Sequence, residues 1–85
     1  MKPIEVARQV VETNTCHQFR PRKSSPGEYD ARPGTRGNKG GWCYLDLFSA
    51  SAIVKVHDAL NESNRAKYAT LHPAVMAEIA FKLLK

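Results

Sequence analysis

The 85-residue chain carries thirteen lysines and arginines against eight acidic residues, a formal net charge of +5. That length holds one domain, residues 1–85, near the lower end of what folds unaided, with no volume for a deep preformed substrate cavity. An elaborate enzyme is therefore disfavoured. No run approaches the roughly 18 to 20 apolar residues that cross a membrane, and Lys2, Glu5, Arg8 and Glu12 interrupt any apolar signal segment. The expectation is a cytoplasmic protein without a membrane partner, whose Cys16 and Cys43 are reduced, half-buried thiols.

Residues 3–13 read as a first helix. Pro3 suits the first helical turn, where its missing N–H is not needed. Ile4, Ala7, Val10 and Val11 share one face, and Asn14 is the stop. Thr15 to Phe19 is short and reads as extended.

All five glycines and six of the thirteen basic residues fall within residues 20–41. Arg20, Arg22, Lys23, Arg32, Arg36 and Lys39 stand there against Glu28 and Asp30, a net +4, while the remaining 63 residues are close to neutral. Three prolines join the glycines, which excludes a helix and disfavours a regular strand. Ser-Ser-Pro-Gly and Arg-Pro-Gly are turn signals. The segment reads as a flexible basic loop, mobile from about Lys23 to Gly40, because such a composition cannot support a packed core. Trp42 to Leu47 follows, aromatic and apolar enough for a strand. Paired with 15–19 it makes a two-stranded hairpin with the basic loop at its tip.

Apolar residues at Phe48, Ala52, Ile53, Val56, Ala59 and Leu60 mark a second helix from Ser49 or Ser51 to Leu60. Asn61 caps a third, Glu62 to Leu71. Pro73 opens a fourth, with Val75, Met76, Ile79, Ala80 and Leu83 as its buried stripe and Lys82 and Lys85 at its dipole's negative end. The predicted core is Ile53, Val56, Leu60, Met76, Ile79 and Leu83. Phe81 and Leu84 lie off that stripe, which predicts a second buried contact with another chain, a homodimer partner included. The fold class is thus mainly α: a small domain of about four short helices, with the hairpin as an optional addition.

The sequence offers no catalytic residue, metal centre or cofactor motif. Cys16, His17, Cys43, His57 and His72 are the soft metal-ligand candidates, but they lack the local pairs that usually build a zinc site. His57 and Asp58 beside Ser49 and Ser51 suggest a triad, yet consecutive helical residues point apart, so both read as surface residues. Thr35 to Gly41 lacks the spacing of a phosphate-binding loop, and the second and third helices read as ordinary helix packing rather than a DNA-reading pair.

Positive charge beside aromatic residues makes Arg20, Arg22, Lys23, Arg32, Arg36, Lys39, Trp42 and Tyr44 the candidate partner-binding residues. The segment from Leu47 to Lys85 resembles, in size and style, small accessory proteins of phages and mobile elements, which often bind and block or redirect a host component. No motif carries that likeness. The leading expectation is a non-enzymatic binding protein, an accessory protein or inhibitor, that engages a larger host protein or nucleoprotein complex. The alternative is a DNA- or RNA-binding accessory or regulatory protein using the same arginines.

Overall fold

In the computed structural model, which describes residues 1–36 and 39–84, the first element is α1, Pro3–Thr13. Gly37, Asn38, Lys85 and the side chain of Lys39 lie outside the described residues. The Lys2 amide donates to Glu5 Oε1 at 2.6 Å and satisfies one of the freed N–H groups of the first turn. Asn14, at φ 53°, closes the helix in the left-handed conformation that asparagine tolerates. Val6, Ala7 and Val10 are fully buried, whereas Val11 is exposed.

Three antiparallel strands follow: β1 (His17–Pro21), β2 (Tyr29–Pro33) and β3 (Cys43–Leu45), in the order β2-β1-β3. The expected two-stranded hairpin is therefore only half of the sheet. The glycine- and proline-rich segment was expected to lack a strand, and it supplies β2. Its turn residues explain why. Glu28 N–H donates to Ser25 O at 3.0 Å across Pro26 and Gly27, with Gly27 at φ 83°. That is a type II turn, which favours Pro at its second position and Gly at its third. Proline and glycine here turn the chain back on itself rather than leaving it structureless. Arg22 N–H donates to Glu28 O and Gly34 N–H to Cys16 O. These bonds bracket the ladder and make Gln18↔Arg32 and Arg20↔Asp30 its hydrogen-bonded pairs.

Asp46 ends β3 and caps α2 (Leu47–Ala59), its carboxylate accepting from Ser49 N at 2.7 Å. The helix consequently starts earlier than its apolar pattern indicates. Asn61 caps α3 (Glu62–Tyr68) as expected, accepting from Asn64 N. His72 caps α4 (Pro73–Leu83) by accepting from Ala74 N at 3.0 Å. Tyr68 donates to Met76 O at 2.7 Å and ties α3 to α4. No helix among the described residues is long and apolar enough to cross a membrane.

The core joins α1, α2 and α4 to the inner face of the sheet through Val6, Val10, Phe19, Leu45, Ile53, Val56 and Met76. Two of the expected core residues, Leu60 and Ile79, are only half-buried, and Leu83 is 61% exposed. The helix α4 instead buries Pro73, Met76 and Ala80. It is apolar on most sides, so periodicity did not set its rotation. Tyr29 enters the core from β2, with its ring centroid 5.8 Å from those of both Phe19 and His72.

Removing a buried side chain costs its transfer free energy plus the cavity left behind. Ile53→Ala is expected to cost about 2 to 5 kcal/mol and Tyr29→Ala about 3 to 5 kcal/mol, whereas Leu83→Ala should stay within about 0.5 kcal/mol. Urea midpoints measure all three. A loss at Leu83 equal to that at Ile53 would contradict the orientation of α4.

Candidate functional site

Successive side chains of a strand point to opposite faces. In β1, His17 and Phe19 are buried, which leaves Gln18 and Arg20 on the outer face. In β2, Tyr29 is buried, and Asp30 and Arg32 face outward. Tyr44 of β3 stands opposite Gln18, and Trp42 lies one step beyond the paired residues of β3 on the same side. Register, rather than proximity in sequence, brings these residues together.

Trp42 is the centre of the face. The Arg32 guanidinium carbon lies 4.0 Å from its ring centroid, and that of Arg20 lies 4.4 Å from it. Each cation–π contact contributes about 0.5 to 1 kcal/mol at an exposed site. Both guanidiniums are also held by neutral acceptors. Arg32 Nε donates to Gln18 Oε1 at 2.7 Å, and Arg20 Nη1 donates to Gly40 O at 3.3 Å. Asp30, the acid nearest in register, takes two hydrogen bonds from Arg22 at 3.0 and 2.8 Å on one oxygen. Among the described residues, no ion pair joins Arg20 or Arg32 to a carboxylate.

Gly34 protects this arrangement. A Cβ there would meet Gln18 Cδ at 2.8 Å and displace the amide that orients Arg32. Tyr44 donates its hydroxyl to Cys16 Sγ at 3.1 Å. That bond, followed by burial and the Cys16 and Asp46 charges, raises the phenol above its usual value. Cys43 pairs in register with Phe19 rather than with Cys16, and both cysteines are free thiols. Beside Trp42 an open cleft of about 730 Å³ is lined by Arg20, Pro21, Lys23, Asp30, Gly40 and Gly41.

Of the sequence-derived candidates, Arg20, Arg22, Lys23, Arg32, Trp42 and Tyr44 thus converge on one face and its rim. Arg36 is exposed beyond the end of β2. The residue that sequence reasoning missed is Gln18, a neutral side chain with no charge signal. Only the alternation of β1 marks it.

His57 and Asp58 correct two expectations. His57 is buried rather than exposed, and the two side chains do meet, with His57 Nδ1 3.1 Å from Asp58 Oδ1. Arg8 of α1 joins them, its Nη2 2.5 Å from Asp58 Oδ1 and 3.2 Å from His57 Nδ1. Arg65 of α3 donates to the carbonyls of His57 and Leu60. Two arginines therefore gather at the C-terminal end of α2, where cations complement the helix dipole. The cluster fastens three helices. Among the described residues, no group of three or more His, Cys, Asp or Glu side chains is placed to hold a metal ion.

Comparison with known protein families, with curated proteins and with solved structures finds no match for this chain.

The hydrogen bond from Arg8, and then that from His57, holds the Asp58 carboxyl below its ordinary value of 3.8. A lowered folded-state value adds stability that is complete above the unfolded value and lost as pH falls through the folded one. Stability should therefore decline below about pH 4. Asp58→Asn should flatten that acid limb in urea midpoints measured from neutral to acid pH. An unchanged slope would contradict the role given to Arg8.

Proposed function

We propose that this chain is a non-enzymatic binding protein whose outer sheet face engages a larger nucleic-acid or nucleoprotein partner. One observation carries the reading: Arg20 and Arg32 are fixed over one indole by neutral acceptors, while the neighbouring carboxylate is engaged by Arg22. Two like charges held on one ring repel each other, and an anionic partner offsets that repulsion. Lys23 extends the positive field along the rim, where it steers encounter with a polyanion. Occupying a stretch of the partner would let so small a protein block or redirect a larger assembly.

A second reading, a protein partner, is favoured by one feature on another surface. Phe48 is 74% exposed and stacks on Phe81 with ring centroids 5.5 Å apart. Aromatic residues, phenylalanine among them, are enriched in the cores of protein interfaces.

Salt separates the two. Each phosphate neutralised on duplex DNA contributes about −0.9 to the slope of log affinity against log salt. The three cations of the face that no carboxylate engages among the described residues, Arg20, Arg32 and Lys23, predict a slope of about −3 toward duplex DNA of mixed sequence. The double variant Arg20→Glu, Arg32→Glu should flatten it by about two. Salt-insensitive capture of a partner that ignores both arginines but requires Phe48 would favour the protein reading instead.

A further inference from the structure

We infer that the outer sheet face is built for a single-stranded nucleic acid, with unpaired bases stacking on the Trp42–Arg32 layer and on Tyr44. This rests on the binding reading above and narrows it from a polyanion to an unpaired polynucleotide. Phosphate attraction alone needs only mobile lysines. Here the central group is an aromatic ring with two guanidiniums packed against it, their carbons 4.4 and 4.0 Å from its centroid, and Arg32 is exposed to solvent. Bases stack on aromatic side chains and on arginine planes only when their faces are free. In a duplex those faces are closed and only base edges show in the grooves.

Spacing points the same way. Trp42 and Tyr44 stand two residues apart on one strand, about 6.5 to 7 Å by strand rise. Bases of a duplex strand follow one another every 3.4 Å or so. A backbone spacing of that size suits bases that have been drawn apart. Arg20 and Lys23 line the open cleft beside Trp42 together with Pro21, with Asp30, whose carboxylate is held by Arg22, and with two glycines that add no side chain, Gly40 and Gly41. The backbone of an extended strand can run there with its phosphates against both cations.

Trp42 is the sole tryptophan of the chain, so its fluorescence reports on this site alone. The test titrates the intact protein at low salt with an oligothymidylate of about ten nucleotides, a length within the usual site size of single-strand binders. Parallel titrations use a GC-rich duplex of the same length, kept annealed as a closed hairpin, and heparin, which carries anions but no bases. The single strand should quench Trp42 and bind at least about tenfold tighter than the duplex, and heparin should bind without quenching. Anisotropy of a labelled oligonucleotide then reads the variants. Trp42→Ala should weaken binding roughly 5- to 150-fold, the range for losing one stacked base. Trp42→Phe, which keeps a stacking ring, should recover most of that loss. Equal affinity for single strand, duplex and heparin would overturn the stacking inference and leave the polyanion-binding reading standing. A Phe variant as weak as the Ala variant would also overturn it. Absence of binding to all three probes would overturn both readings.

Discussion

Tyr29 fastens the basic segment to the body of the protein. Its ring lies against Phe19 of the central strand and His72 at the start of α4, and its amide donates to Met1 O at 2.7 Å. One residue of the glycine-rich segment thus touches the chain ahead of α1, the middle of the sheet and the cap of the last helix. Ordering a backbone costs roughly 1 to 2 kcal/mol per residue, so residues 22 to 34 would not hold a strand without such an anchor. Burial of an aromatic side chain, with edge-to-face contacts on two rings, offsets part of that cost beside the hydrogen bonds of the ladder.

Once β2 is in place, the character of the outer face follows from alternation. Tyr29 inward puts Asp30 and Arg32 outward, and Phe19 inward puts Gln18 and Arg20 outward. Arg22 takes Asp30, Gln18 takes Arg32, and the indole lies beside both central guanidiniums. The face stays cationic because the groups that orient Arg20 and Arg32 are neutral. A flexible loop with the same composition would carry the same charge without presenting two guanidiniums and two rings in fixed relation. Fixed relation lowers the entropy lost on binding, and it limits which anions fit.

Much of the helical framework was legible in the residues. Pro3 and Asn14 bound α1, Asn61 caps α3 and Pro73 opens α4, each through a local mechanism that needs no tertiary information. The rotation of α4 was not legible, because Val75, Met76, Ile79, Ala80, Phe81 and Leu83 leave it apolar on most sides. The strand β2 was obscured by its neighbours. Pro26 and Gly27 read as breakers, yet the tight turn they form is what permits pairing. The alternation of Tyr29 and Ala31 with Asp30 and Arg32 was present but only four residues long. Charge and aromatic type picked out most of the face, since they are local properties. Gln18 and the meeting of Arg8 with His57 and Asp58 depend on register and helix packing, which composition does not carry.

The outer face exists only if residues 29 to 33 are a strand of the folded body. Native-state amide hydrogen exchange at single-residue resolution tests this directly. By the alternation of the ladder, the Asp30 and Arg32 amides donate across to β1. They should exchange far more slowly than an unstructured peptide and lose that protection in Tyr29→Ala. Exchange of both amides at the rate of a free peptide, in a protein whose α2 amides remain protected, would mean a loose basic loop and no assembled outer face.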